Sequence, residues 1–180
     1  MDNINLSVIR EMYGNVVYTH KTYEKAADML TTQSRWMKAA NVILLTLTSG
    51  SAIGAVFKGD ILIEITAFLS TLTLLFAVYQ ITFRTEESVE NYRAVARKLW
   101  TIREHSQNLI ADILNNIYTT KEINEKRDAL LSQLSGVLAD APSTNARAYA
   151  KARKSLKIEG EKTFTEAEID AFLPDKLRNK

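Results

Sequence analysis

The chain has 180 residues, with 23 Lys and Arg against 21 Asp and Glu, two His, two Pro and no Cys. Zero cysteine excludes a disulfide framework, thiolate metal sites and a cysteine nucleophile, and two histidines leave little for metal or acid–base chemistry. A net charge of +2 with both signs interspersed is too small to read as a nucleic-acid footprint, and the length gives room for one domain with a modest core.

The mean hydropathy of -0.13 blends strongly apolar stretches with long charged segments, which have to be read separately. At the start of the chain, Leu6, Ile9, Tyr13, Val16, His20, Tyr23, Ala27, Leu30, Ser34 and Met37 recur at alternating steps of three and four, and no proline interrupts them. That spacing predicts a helix with one apolar seam that continues into whatever follows. From Ala39 to Phe57 come 19 residues without a formal charge. As a helix they reach about 28 Å, against a hydrocarbon core of about 30 Å. After Lys58-Gly59-Asp60 a second run, Ile61 to Phe83, carries one charge, Glu64, near its outer end. Both runs are long enough to span a membrane, and a chain of this size has little soluble mass with which to bury two helices that are apolar all round.

The flanks orient the pair. Lys21, Lys25, Arg35 and Lys38 precede the first run and Arg84, Arg93, Arg97, Lys98 and Arg103 follow the second, while the connection carries only Lys58. The excess of Lys and Arg therefore places both termini in the cytoplasm and a tight turn outside. Trp36, Tyr79 and Phe83 suit an aromatic belt on the cytoplasmic side. A cleaved signal peptide is not expected, since 38 residues that include four acids precede the apolar run.

Beyond the second run, Tyr92, Val95, Leu99, Ile102, Ser106, Leu109 and Ile113 repeat the same period through a segment from Arg84 to Tyr118, which should pair with the first arm as an antiparallel coiled coil. Thr119 and Thr120 break the pattern. A third helix, about Ile123 to Ala139, folds back on the pair and ends at Asp140-Ala141-Pro142. Ser143 or Thr144 then caps a further helix through Leu156, Gly160 marks a turn, and Thr165 with Glu168 forms a capping box for a last short helix, Glu166 to Phe172. The expectation is an all-α membrane protein: a two-transmembrane hairpin on a coiled-coil-like bundle, as one domain over 1–180. Its parts are a cytoplasmic helix (1–38), a first span (39–57), an outer loop (58–60), a second span (61–83) and cytoplasmic helices (84–180).

Several groups of residues are candidates for function. In the second span Thr66, Ser70, Thr73, Ala77 and Gln80 fall on one narrow face. Such a stripe serves a wetted pore lining or close helix packing with interhelical hydrogen bonds, and the residue types fit both. Thr46, Gly50 and Gly54 let backbones approach closely in the first span, with Asn41, Thr48, Ala52 and Ala55 as a second small or polar face, a pattern that favours oligomers. Glu64 is either a carboxylate reaching the outer interface or part of an acidic ring at a pore mouth. His20 and His105 lie at similar depth on paired arms, where a two-histidine switch is conceivable, although two ligands do not close a metal site. Arg147, Lys151 and Lys154 belong to a helix rich in Lys and Arg with no acid between Ala141 and Ile158; its bland reading is a solvated face, its sharper one a contact for anionic lipid or phosphate. No nucleotide-binding loop, metal-ligand helix motif or nucleophile elbow is present, and no catalytic residue, cofactor or metal is expected.

The order of features resembles the SLATT family, the SMODS and SLOG-associating two-transmembrane effectors. The resemblance lies in Tyr18-Thr19-His20-Lys21-Thr22-Tyr23 leading to Arg35-Trp36 and the first span, the brief Lys58-Gly59-Asp60 loop, the charged helix from Arg84, and Ala141-Pro142-Ser143-Thr144 followed by Ala148-Tyr149-Ala150-Lys151-Ala152. It implies a bacterial antiphage effector in the inner membrane that forms a homo-oligomeric pore and kills or arrests the infected cell. The implied trigger lies upstream, in the product of a nucleotide-second-messenger synthase or in a defence reverse transcriptase system, without direct nucleic-acid binding. The resemblance also favours the lining role for the polar stripe. The competing class is a non-conducting, membrane-anchored coiled-coil scaffold that recruits a soluble partner.

Overall fold

The computed structural model describes residues 4–58, 60–82, 85–161, 163, 165 and 169. Five helices follow in chain order: α1 (Ile4–Lys58), α2 (Asp60–Thr82), α3 (Thr85–Leu114), α4 (Thr120–Ala139) and α5 (Ala146–Lys157), with no strand among the described residues. This is the all-α, two-transmembrane architecture that the spacing implies. The first arm does run unbroken into the first apolar stretch, since α1 is one helix of 55 residues.

Below the hairpin, α1 and α3 pair antiparallel along the two seams. The pairing is fixed by Tyr13 opposite Gln107, His20 against Trp100 and Tyr23 against Tyr92. The seam positions Ile9, Val16, His20, Tyr23 and Ala27 are buried, as are Val95, Leu99, Ile102, Ser106, Leu109 and Ile113 opposite. Helix α3 stops at Leu114, four residues short of the expected Tyr118, because Asn116 takes φ 54 and turns the chain. Asn tolerates that left-handed conformation better than most residues. Thr119 then caps α4 through a capping box with Glu122, so the helix begins three residues before the expected Ile123. Helix α4 folds back with Ile123 and Leu130 buried, and Arg127 reaches Asn5 at 2.7 Å.

The linker after α4 is held by two tyrosines. Tyr23 donates to the Pro142 carbonyl at 3.0 Å and Tyr92 to the Ser143 carbonyl at 2.6 Å. With both carbonyls engaged, the chain stays extended to Asn145, whose side chain accepts from the Ala148 N–H. Asn145, not Ser143 or Thr144, is therefore the cap of α5. This helix lays Ala148, Ala152 and Ser155 inward onto the bundle, and small residues at that spacing let two backbones come close. Gly160 turns the chain at φ 64, as expected. Most of the expected last helix, Glu166 to Phe172, lies outside the described residues; the Ile169 N–H donates to the Thr165 carbonyl at 3.0 Å.

Candidate functional site

Two regions concentrate the polar chemistry: the inner face of the hairpin, and a cavity between α1 and α3 below it. In the hairpin, the 18-residue apolar window of each helix has no buried residue. Val42, Ile43, Leu47, Ile53, Phe68, Leu74 and Leu75 are all exposed. A core helix of a soluble protein hides such side chains, so this outward apolar coat requires lipid or another hairpin. The inward face mixes the half-buried apolar side chains Leu44, Leu62, Leu69 and Phe76 with hydroxyl and amide groups. Thr66 donates to the Ser51 hydroxyl at 2.9 Å, Thr73 lies 3.3 Å from the Thr48 hydroxyl, and the Gln80 amide reaches the Met37 carbonyl at 3.4 Å. Each threonine hydroxyl also donates to, or shares, the carbonyl one turn back in its own helix, which is how hydroxyls are tolerated in apolar surroundings.

The stripe proposed for α2 therefore divides. Thr66, Thr73 and Gln80 face α1 within one hairpin, Ala77 is half-buried, and Ser70 is exposed. Thr48 and Ser51 are the partners that a reading of α2 alone leaves out. The glycine motif divides as well. A Cβ on Gly54 meets Leu62 Cδ1 at 3.1 Å, so this glycine serves the close approach of α1 and α2, whereas a Cβ on Gly50 meets nothing within 4 Å. Thr46 and Gly50 are both exposed and leave that face of α1 open. Glu64 is exposed near the outer end of α2. Asn41 carries a buried Oδ1 with no hydrogen-bond partner among the described residues. At the base of the hairpin Lys38 pairs with Glu86, tying α1 to α3 where the helices leave the span.

The second region is a cavity of about 700 Å³ lined by His20, Lys21, Lys25, Arg93, Arg97 and Trp100, with Glu24, Asp28 and Glu161 as its acids. Lys21 is only 6% exposed, and its ammonium pairs with Glu24 at 3.0 Å and with Glu161. Lys25 reaches Glu161 at 3.1 Å. Burial alone pulls the Lys21 pKa down, but the two carboxylates more than reverse it and leave it raised. Lys21, the Ser155 hydroxyl and Lys25 together hold the Glu161 carboxyl well below the usual range, at about 2. His20 meets Trp100 in a tilted ring contact at 5.6 Å and stands 3.5 Å from Glu24. His105 lies elsewhere, in a groove with Asp112 and Lys126, because the α1–α3 register sets His20 opposite Trp100. The two histidines do not meet.

The basic face of α5 is exposed at Arg147, Lys151 and Lys154. Lys151 and Lys154 line a groove with Trp36, while Lys154 also pairs with Glu159 at 3.1 Å. No group of three or more His, Asp or Glu side chains suited to a metal occurs among the described residues. The profile of the SMODS and SLOG-associating 2TM effector domain family 4 matches residues 6–168, and the chain belongs to that family of two-transmembrane effector domains. No curated protein and no solved structure matches it.

Proposed function

We propose that this effector domain sits in a bacterial inner membrane with both termini in the cytoplasm, assembles with copies of itself, and opens a conducting path that disables a phage-infected cell. The observation that carries the reading is the seam of Thr48, Ser51, Thr66, Thr73 and Gln80 between two helices that are otherwise coated with exposed apolar side chains. Hydroxyl and amide groups at membrane depth need partners or water, and groups that pair within one hairpin can exchange those partners for water when hairpins assemble. Ser70 and Ala77 complete that lining, and Glu64 stands at its outer mouth, where a ring of carboxylates favours cations. The open face of Thr46 and Gly50 is the contact between neighbouring hairpins, with Gly54 reserved for α2. Asn41 supports assembly too, since its buried acceptor finds a donor only in a neighbour or in water.

Two further features agree with the orientation. Trp36, Lys151 and Lys154 share a groove just below the first span, which suits aromatic and cationic contact with anionic headgroups. The family's association with SMODS and SLOG proteins supports an upstream signal, through a synthase product or a reverse transcriptase system, as the trigger. Triggering requires a signal that binds the open and closed states differently.

A second reading is favoured by one specific fact: each of the three interhelical contacts is complete inside a single hairpin. A non-conducting anchor that merely holds the bundle at the membrane has the same inward packing. Membrane potential separates the two. With a voltage-sensitive dye in bacteria expressing the chain with its upstream system, triggering depolarises cells carrying the parent and spares those carrying Thr73→Leu with Gln80→Leu at equal membrane abundance. Equal depolarisation by both removes the lining assignment, and full defence without depolarisation establishes the anchor.

A further inference from the structure

The cavity between α1 and α3 holds a feature that the hairpin does not explain. Its two walls carry the cations Lys21, Lys25, Arg93 and Arg97 against the acids Glu24 and Asp28. The remaining acid, Glu161, comes from neither wall. It arrives from the turn after α5, and its carboxylate takes the place between Lys21 and Lys25. Without that visitor the walls hold four cations against two acids, with Glu24 remaining on Lys21 at 3.0 Å. A concave site with an excess of cations focuses its field on whatever anion can enter.

We infer that this cavity binds a soluble, multiply phosphorylated organic molecule, for which Glu161 is a tethered stand-in. Four observations define the ligand. The volume of about 700 Å³ falls within the range of small-molecule sites, roughly 300 to 1,000 Å³, and suits a body of nucleotide size. Trp100, which is 42% exposed, gives the wall apolar surface against which an organic body rests. A carboxylate on a short tether has an effective concentration on the order of millimolar, so a singly charged competitor gains nothing over it. A ligand with several phosphate charges does, because it engages Lys21 and Lys25 and also the guanidiniums of Arg93 and Arg97 on the opposite wall. Arg97 already turns to an exposed carboxylate, Glu90, at 2.7 Å, a surface pair that a better anion replaces at little cost.

Position selects the source of the phosphate. Lys21 and Asp28 lie 18 and 11 residues before Ala39, where the uncharged stretch begins, so they sit about 27 and 16 Å below it along the helix. That is farther than a headgroup reaches, and beyond a Debye length of about 8 Å. The ligand is therefore a free solute. Its entry moves Glu161 out and releases the turn after α5 from α1, which gives the bundle two states that differ in a named contact. The site stands whether or not the hairpin conducts.

The test is calorimetric titration of the full chain in detergent with inorganic triphosphate as the probe. One site per chain is expected, weakened by salt. Glu161→Gln, which removes the competitor and keeps the shape, tightens binding by about tenfold or more. Arg93→Gln with Arg97→Gln, both at exposed positions that leave the core intact, weakens it by about tenfold, as expected for two lost charge-assisted contacts. Helical content by circular dichroism confirms that each variant is folded. Excess phosphatidic acid in mixed micelles leaves triphosphate binding unchanged; displacement by that lipid assigns the site to headgroups and overturns the soluble source. Absence of saturable binding to folded Glu161→Gln, or binding that this substitution leaves unchanged or weakens, overturns the site itself.

Discussion

In the lower half of α1, Ile9, Val16, Tyr23 and Ala27 turn toward the bundle and are buried, whereas in its upper half Val42, Ile43, Leu47 and Ile53 turn outward and the hydroxyls of Thr48 and Ser51 turn toward the partner helix. One uninterrupted helix thus reverses its pattern along its length. Below, water surrounds the protein and apolar burial drives pairing with α3. Above, the surroundings are themselves apolar, so burying a leucine gains almost nothing and hydroxyls become the groups worth pairing. The same change distinguishes the partners, since α3 brings the fully apolar set Leu99, Ile102 and Leu109 to α1, while α2 sets Thr66, Thr73 and Gln80 among Leu62, Leu69 and Phe76.

Substitutions that treat the two halves alike should therefore give unlike results. Leu99 is fully buried, and Leu99→Ala costs about 2 to 5 kcal/mol, read as a lower melting temperature of the full chain in detergent. Leu74→Ala, at a site 65% exposed on the outward coat, leaves the melting temperature close to the parent's. An equal drop for both would erase the distinction between the halves.

Glu161 gives a smaller effect, because its side chain is 38% exposed and its ion pairs are partly screened. Its folded pKa, about 2, lies below the ordinary 4.5, so the contribution is fully present above about pH 4.5 and is lost as the pH falls toward 2. Lys21, Lys25, Glu24, His20, Asp28, Arg93 and Arg97 are the charged or titratable groups that share its cavity. The stability gap between the parent and Glu161→Gln should close across it. A gap that persists at low pH would mean that packing, not charge, holds the turn after α5.

The smallest expected loss belongs to the seam. Thr73→Val removes one interhelical hydroxyl contact and costs about 0.6 kcal/mol, the typical worth of such a contact in a membrane bundle. A loss of several kcal/mol, read by unfolding in mixed micelles, would mean that the hairpin is held by polar pairing far more tightly than membrane helices usually are.

Much of this was legible in the amino-acid order. The seams of α1 and α3 follow from steps of three and four, and the spans from uncharged runs bounded by Lys and Arg, because both signals are local. The fold-back of α4 is equally local, in the break at Thr119 and Thr120 and a handful of leucines, whereas the capping box of Thr119 with Glu122, which starts the helix three residues earlier, went unread. Asn145 was not legible as a cap, because Ser143 and Thr144 offer the same chemistry; the choice was made by Tyr23 and Tyr92, more than 50 residues away. The division of the α2 stripe depends on the register that sets Thr48 beside Thr73, which neither helix encodes alone. The Lys21–Glu161 contact joins positions separated by 140 residues, and no periodicity reaches that far.

The reversal of α1 can be tested with a cysteine pair, since the chain contains no cysteine of its own. Thr48→Cys with Thr73→Cys places two thiols where the hydroxyls stand 3.3 Å apart, and Ile43→Cys with Leu74→Cys places two on the exposed coat. After mild oxidation of membranes carrying the full chain, the account predicts that the first pair closes within one chain and that the second does not. An intramolecular bond at 43–74 with none at 48–73 would contradict it, by placing the apolar coat inside the hairpin and the hydroxyls outside.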